Sequence, residues 1–242
     1  MMRLNILGSS SNGNCYILDN GSEALVIEAG VDIAKVKKAV GFNLSRIVGC
    51  IVSHEHNDHA KFINQFVSCA ISVLALPSVF DSKGVTSAFA RPIAAGMGYK
   101  LGNYKIAAFQ VCHDVPCVGY LVSHPDMGKL LFLTDTYNLA YRFNALNHIM
   151  IECNYADDIL DWNIEHGVTP ASMRSRLLMS HMALDTTKTI LNAQDLSQVS
   201  NIILIHLSDD NSDEDRFVRE VEEATGKIVV AADAGKVITL NY

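Results

Sequence analysis

Short apolar runs separated by turn sequences dominate the first half of the chain. Asn20-Gly21 and Pro125-Asp126-Met127-Gly128 stand between such runs and are typical of hairpin turns. The length of the runs and their β-branched and aromatic residues indicate strands rather than helices. Strands are predicted at Leu4–Leu7, Cys15–Leu18, Ala24–Glu28, Ile47–Ser53, Ile71–Leu76, Tyr104–Cys112, Val118–Val122 and Leu130–Thr134.

Helical spacing of apolar residues is more frequent in the second half, where it alternates with further strands. Helices are predicted at Asp32–Val40, Ala60–Val67, Ala171–Met179, Thr186–Leu191 and Ser212–Ala224, with Asp185 and Ser212 as N-caps. Further strands are predicted at His148–Cys153, Asn201–His206, Lys227–Ala231 and Lys236–Leu240. This order favours an α/β (α+β) protein with two sheets packed face to face and helices outside them. No linker or change in composition divides the chain, so we expect one domain over residues 1–242.

The composition narrows the classes of function. Apolar residues make up 49% of the chain, which is enough for a large core, and no apolar run approaches the length of a membrane span. With 19 Lys and Arg against 26 Asp and Glu, the net charge of −7 argues against a nonspecific DNA coat or an anionic membrane surface. The six cysteines form no Cys-x-x-Cys pair and lie mostly in apolar runs, which indicates buried thiols and a cytoplasmic protein.

Residues 54–59 read His-Glu-His-Asn-Asp-His and connect an apolar strand to an amphipathic helix. In an extended segment, side chains two residues apart face the same way, so His54 and His56 can bind one cation together. Where the chain turns into the helix, Asp58 and His59 point toward a neighbouring position. Imidazole and carboxylate ligands suit zinc, manganese or iron. The loop therefore predicts a metal site rather than a solvated polar turn.

Four ligands on one loop cannot complete two coordination spheres, so the hypothesis needs ligands elsewhere. His113, Asp135 and His206 are the candidates, because each follows a predicted strand. A single histidine at a strand end would be weak evidence, but three candidate ligands at strand ends strengthen each other.

Together these residues resemble the signature of the metallo-β-lactamase-fold metallohydrolases, which carry His-x-His-x-Asp-His and then a distant His, an Asp and a final His. Within that superfamily the chain looks most like the YycJ/WalJ branch, related to tRNase Z and to the cyclic phosphodiesterase of phosphonate breakdown. Further matching segments are Gly8–Asn14, Thr134-Asp135-Thr136, Ile151–Asn154, the pair Arg174 and Arg176 before His181, and His206-Leu207-Ser208. The resemblance covers essentially the whole chain and implies a four-layer αββα sandwich.

The resemblance also implies the roles of the ligands. His54, His56 and His113 would hold one metal, Asp58, His59 and His206 the other, and Asp135 would bridge the two. The cofactors would be two divalent metal ions, with zinc first and manganese or iron as alternatives. The sequence departs from the family at Glu28, where an Asp that orients the metal loop is usual, and in the residues around His181.

Other residues are predicted to act on the substrate side. In the related enzymes a histidine in the place of His181 donates a proton to the leaving group, and Glu152 would orient His181 or a ligand. Arg174 and Arg176 would hold phosphate oxygens or be solvated helix arginines. Ser10 and Asn12 lie in the Gly8–Asn14 loop, which would offer backbone N–H groups to substrate or form only a tight turn.

Two cations with two ligating aspartates keep positive charge at the site, which favours an anionic substrate. We therefore expect hydrolysis of a phosphodiester by a metal-bridging hydroxide, with Asp58, His181 and Glu152 as catalytic residues. The expected substrate is a nucleotide, a cyclic phosphate or a short single-stranded nucleic-acid end. Hydrolysis of a thioester or lactone on the same metals and a non-catalytic metal-binding module are the alternatives. The natural substrate, the metal and the oligomeric state stay open.

Overall fold

The protein, described from a computed structural model over residues 1–241, contains two seven-stranded sheets. The strands are β1 Met2–Gly8, β2 Cys15–Asp19, β3 Ala24–Ile27, β4 Ile47–Ile51, β5 Val73–Ala75, β6 Ala90–Pro92, β7 Gly98–Leu101, β8 Tyr104–Gln110, β9 Val118–His124, β10 Gly128–Leu133, β11 His148–Glu152, β12 Asn201–Ile205, β13 Val229–Ala231 and β14 Val237–Leu240. The helices are α1 Ile33–Ala39, α2 Asn57–Ala60, α3 Ile63–Ser68, α4 Pro77–Ser82, α5 Asp157–Glu165, α6 Met173–Ser180, α7 Leu184–Asn192 and α8 Glu214–Thr225.

The first sheet has the order β14-β1-β2-β3-β4-β5-β6 and the second the order β13-β12-β11-β10-β9-β8-β7. Both contain parallel and antiparallel pairs. The predicted turns close hairpins between β2 and β3 and between β9 and β10, which pair antiparallel. In the second sheet β10, β11, β12 and β13 run parallel, so their carboxyl ends meet at one edge. Functional residues collect at that edge.

Three apolar clusters hold the layers together. One lies between the sheets and includes Tyr16, Tyr120 and Phe132, all fully buried. A second packs α1, α3 and α4 against the outer face of the first sheet, and a third packs α7 and α8 against the second. Alternate residues of each strand therefore face different clusters, as a two-sheet sandwich requires. The predicted αββα arrangement is confirmed.

Several element predictions need correction. α4, α5, β6 and β7 were not predicted, and the helix expected at Ala60–Val67 is divided into α2 and α3. The N-caps also differ. Asp213, not Ser212, caps α8 by accepting from the Arg216 backbone N–H, and Asp185 lies inside the first turn of α7 after the cap residue Ala183. That the chain is a single domain over residues 1–242 stays a prediction. Within residues 1–241, no helix has the length and apolar character needed to cross a bilayer.

Candidate metal centre

The loop at residues 54–59 follows β4 and is held by backbone contacts with the segments before β2 and after β3. The Ala29 N–H donates to the His59 carbonyl at 2.7 Å, and the Asn14 N–H donates to the Asp58 carbonyl at 2.7 Å. The carboxylate of Glu28 is buried and accepts from the Ser53 N–H at 3.3 Å. It also lies 3.6 Å from His59 Nδ1. Glu28 thus contacts both the residue before the loop and the ring of His59.

The remaining candidate ligands come from the edge of the second sheet. His113 follows β8, Asp135 follows β10 and His206 follows β12. Asp135 and His206 both have left-handed backbone conformations, with φ of 46° and 56°. Such a conformation costs free energy in a non-glycine residue and is concentrated at functional sites. Here it turns each side chain back across the strand end toward the loop.

The structure brings together one group of His54, His56, His113 and Asp135, whose ligand atoms all lie within 4.8 Å of one another. His113 Nε2 lies 3.2 Å from His56 Nδ1, and His54 Nε2 lies 3.8 Å from Asp135 Oδ2. The ring of His113 is oriented by its Nδ1–H, which donates to the Ser180 carbonyl at 2.9 Å. Nε2 is therefore the nitrogen of His113 that can act as a ligand.

A second group consists of Asp58, His59, Asp135 and His206, again within 4.8 Å. Asp58 Oδ2 lies 3.0 Å from His59 Nε2 and 3.2 Å from His206 Nε2. Asp135 Oδ1 lies 3.3 Å from His59 Nε2. One oxygen of Asp135 thus faces the first group and the other faces the second, which is the arrangement of a bridging carboxylate.

These residues fit a pair of divalent cations. Two ligand atoms that each bind one ion at about 2.1 Å lie about 3.0–3.5 Å apart, close to the separations in both groups. Among the described residues, the buried Nε2 atom of His54 has no hydrogen-bond partner. A buried polar atom without a partner is unfavourable unless a ligand satisfies it. The donor set of imidazole and carboxylate suits zinc, manganese or iron.

The electrostatics of the second group also favour bound positive charge. Burial opposes ionisation of Asp58, but hydrogen bonds from His206 and His59 outweigh it and hold the pKa of Asp58 well below its usual range. Burial likewise opposes protonation of His59 and His206, but the charge of Asp135 outweighs it and raises the pKa of both rings well above the ordinary value. At His54 burial dominates and lowers the pKa. Cations would take the place of those protons, since metal binding and proton release are coupled.

His181 and Glu152 form a pair beside the second group. Glu152 is fully buried at the end of β11, and its Oε1 lies 2.7 Å from His181 Nδ1. The same oxygen lies 3.2 Å from His206 Nδ1, and Oε2 accepts from the Thr136 N–H. Burial lowers the pKa of His181, but the Glu152 charge outweighs this and raises it overall. His181 is only partly buried, and it lines a cavity of about 420 Å³.

The predicted substrate residues are distributed unevenly around this cavity. Arg176 and Asn12 line it together with His181. Ser10 lines a neighbouring cleft of about 520 Å³, which Asn12 also borders. Arg174 does not line either space. Its guanidinium forms an ion pair with Asp161 of α5.

Some residues at the centre were not predicted. Asn14 is buried, and its Nδ2 lies 3.1 Å from His59 Nε2 and 3.3 Å from Asp58 Oδ2. Asp114, which follows His113 directly, places Oδ1 3.1 Å from His113 Nε2 and 3.4 Å from His56 Nε2. Its position beside a predicted ligand was the available signal for Asp114. No local signal marks the Ser180 carbonyl.

Comparison with known proteins agrees with this geometry. The family model "Metallo-beta-lactamase superfamily" matches residues 10–68, which include the loop. The exodeoxyribonuclease YycJ of Bacillus anthracis is 24% identical over 233 residues, covering 87% of this chain and 84% of the relative. The chain is similar to members of the metallo-beta-lactamase superfamily, and the matched segment contains the loop that carries four of the candidate ligands. The resemblance to this superfamily that the sequence predicted is confirmed, as is the prediction that the chain is an enzyme.

Solved structures of the superfamily share the fold over nearly the full chain. The metallo-beta-lactamase fold protein YhfI from Bacillus subtilis superposes with a TM-score of 0.72 at 15% identity, covering 99% of this chain and 100% of that one. The short form of human tRNase Z superposes with a TM-score of 0.65 at 14% identity, covering 100% of each chain. At these identities the likeness extends to the metallo-beta-lactamase fold and not to the reaction.

Proposed function

We propose that this chain is a dimetal hydrolase that cleaves phosphodiesters in nucleotides or at short single-stranded nucleic-acid ends. The observation that carries the proposal is the Glu152–His181 pair, which lies beside two ligand groups sharing Asp135. A proton donor next to a dimetal site is the equipment needed to break a P–O bond with a poor leaving group. Zinc is the metal we propose first.

The metals, when bound at the two groups, would supply Lewis-acid activation of water and of the phosphoryl oxygens. Asp135 would set the spacing between the two positions, since its two oxygens face different groups. Asp58 would bind on one side only, with Asn14 donating to the same oxygen that faces His59 and His206. This carboxylate is a ligand, and its catalytic contribution is to place and neutralise charge.

His181 would protonate the departing oxygen. The Glu152 carboxylate accepts a hydrogen bond from Nδ1–H of His181. This contact fixes the ring and leaves Nε2 as the atom available to substrate. The opening of the 420 Å³ cavity at His181 supplies the place where the leaving group would stand. A volume of this order accommodates a nucleotide-sized group.

Arg176 and Asn12 would position the substrate, because both line the cavity that His181 opens into. Arg176 would contact phosphate oxygens. Ser10, in the Gly8–Asn14 loop, would contact substrate from the neighbouring cleft. For Arg174 we propose only a weaker, long-range contribution to substrate binding, since its guanidinium is engaged with Asp161. The names of the relatives, an exodeoxyribonuclease and a tRNase Z, support a nucleic-acid substrate. The six unpaired cysteines support a cytoplasmic location.

The test is hydrolysis of bis-p-nitrophenyl phosphate, a cyclic nucleotide and a single-stranded oligonucleotide by protein purified without chelator. We expect turnover of phosphodiesters, loss of turnover in Asp58→Ala, and two equivalents of metal in the unmodified protein. A matched assay with a thioester and a lactone distinguishes the alternatives. Faster turnover of the thioester or lactone than of the phosphodiesters would overturn the proposal in favour of a thioester or lactone hydrolase. Retained metal with no turnover of any ester would favour a binding module.

A further inference from the structure

The outer face of the second sheet carries a row of lysines far from the metal centre. Cα pairing places Lys100 opposite Lys105, Lys105 opposite Ser123, and Ser123 opposite Lys129. Residues directly opposite in neighbouring strands present their side chains on the same face. Three lysines and a serine therefore form one row across β7, β8, β9 and β10, about 15 Å long at the ordinary strand spacing.

This face points away from the core between the sheets. Each of the residues Lys105, Ser123 and Lys129 has a chain neighbour that packs in the cluster between the sheets. These neighbours are Ile106, Val122 and Leu130, respectively. The row, which alternates with them, is therefore on the opposite side. Two cavities of about 540 and 520 Å³ share Lys100, Lys105, Ser123 and Lys129, and neither is lined by a carboxylate.

The charge of the row is not neutralised within the protein. Within residues 1–241, none of the three lysines forms an ion pair, although the chain carries a net charge of −7. Lys129 Nζ donates only to the Asn144 carbonyl. Like charges directly opposite each other, as at Lys100 and Lys105, destabilise a sheet. The pairing is therefore unfavourable within the sheet itself, and an anionic partner would relieve the repulsion.

Aromatic side chains lie between the row and the metal centre. Phe109 is on the same face of β8 as Lys105, and its ring centroid lies 5.5 Å from that of Tyr141 and 4.9 Å from that of Phe143. Tyr141 is 42% exposed, as is Tyr137, whose backbone N–H reaches the carbonyl of Cys112 beside His113. From Lys105 to His113 an extended chain covers about 25 Å.

We propose that this surface, from Lys100, Lys105 and Lys129 through Tyr141 to Tyr137, is a binding track for single-stranded nucleic acid that leads to the metal centre. Lysines that contact phosphates and aromatic rings that stack on bases are the combination by which proteins hold single strands without reading their sequence. The identity of the anion rests on the proposed function. The track would make long strands bind more tightly than a dinucleotide, which occupies the metal centre alone.

The test measures binding rather than turnover. Fluorescence anisotropy with a phosphorothioate oligodeoxythymidine of about 20 nucleotides compares the metal-loaded wild type with Lys100→Gln/Lys105→Gln/Lys129→Gln. We expect the slope of log K against log salt to fall by about 2, at about 0.7 for each lost phosphate contact. We expect Tyr141→Ala to weaken binding about tenfold. Binding and cleavage of a dinucleotide should not change in either variant.

The control Lys37→Gln/Lys38→Gln/Lys227→Gln removes the same charge from other parts of the surface. An equal loss of slope in this control would show a general charge effect and overturn the proposal. An unchanged slope in the variant of Lys100, Lys105 and Lys129 would also overturn the proposal. The same holds if polyglutamate competes for binding as strongly as a single-stranded oligonucleotide does. Lys105→Gln alone, with an expected slope change of about 0.7, repeats the test if the triple variant unfolds. Because binding is measured directly, a wild type that binds the oligonucleotide but hydrolyses no phosphodiester would contradict the proposed function and leave the track supported.

Discussion

Glu152 Oε1 lies 2.7 Å from Nδ1 of His181, whose side chain lines a cavity of about 420 Å³. This contact defines which nitrogen of His181 is available to a substrate. A group positioned in this way affects the reaction most when the leaving oxygen is strongly basic, because such an oxygen cannot depart without a proton.

We expect His181→Ala to lower kcat about 100-fold or more on a phosphodiester with an alkoxide leaving group. On bis-p-nitrophenyl phosphate, whose leaving group departs readily as an anion, the loss should be below about tenfold. Metal content, measured by mass spectrometry of the elements, should stay unchanged. His166→Ala is the control, since His166 stacks on Trp162 and takes no part in the centre. Equal losses on both substrates would contradict the assignment of His181 as a proton donor.

Gly30 allows the metal loop to approach the first sheet. A Cβ at this position would lie 1.7 Å from the Asp58 carbonyl oxygen and 2.6 Å from the Asn14 nitrogen, both backbone atoms. We therefore expect Gly30→Ala to displace the loop, to destabilise the protein by about 1–3 kcal/mol and to reduce bound metal. Chemical denaturation and metal analysis measure the two effects. Gly98→Ala is the control, since its Cβ would have only Ile106 O at 4.0 Å. Full metal occupancy in Gly30→Ala would show that the loop tolerates the shift.

The sequence was most informative where a pattern is local. Alternating apolar residues located most strands, and the spacing of His54, His56, Asp58 and His59 indicated metal ligands from one short loop. β6 and β7 were missed because they are short, half-exposed and contain Pro92 and Gly98, which are unfavourable in strands. The lysine row could not be predicted, since residues 100, 105 and 129 come together only through strand register.

Tyr120 connects the core to the strand that carries the metal loop. Its hydroxyl is fully buried and donates to the Val52 carbonyl at 2.7 Å, one residue before Ser53. We expect Tyr120→Phe to lower the free energy of unfolding by about 1–3 kcal/mol, because a buried carbonyl loses its partner. In the control Tyr99→Phe, the lost hydroxyl contacts the exposed backbone of Ala94, and a change within about 0.5 kcal/mol is expected. Urea denaturation measures the free energy of unfolding of both variants. Equal losses in the two variants would contradict a specific stabilising role for the contact with the Val52 carbonyl.

Asp58 contributes to one ligand group only, whereas Asp135 faces both. We therefore expect Asp58→Ala to retain about one equivalent of metal and Asp135→Ala to retain less, since a bridging ligand serves both positions. A chelator should lower the Tm of the wild type by several degrees, because metal binds the folded state. The chelator effect should be smaller in Asp58→Ala. Two equivalents in Asp58→Ala would contradict the predicted division of ligands.

The burial of His148, at a point remote from the metal centre, predicts that folding stability depends on pH. This residue is fully buried in β11, where Asn201 Nδ2 lies 3.2 Å from its Nδ1. Burial lowers the pKa of His148 from 6.5 to about 4. Between these values the unfolded chain binds a proton that the folded chain does not, so stability falls as the pH decreases from about 6.5 toward 4. The loss from this residue should reach up to about 3 kcal/mol and level off below pH 4. Urea denaturation across this range should show that the free energy of unfolding depends less on pH in His148→Gln than in the wild type. An identical pH dependence in the two proteins would mean that folding does not lower the pKa of His148.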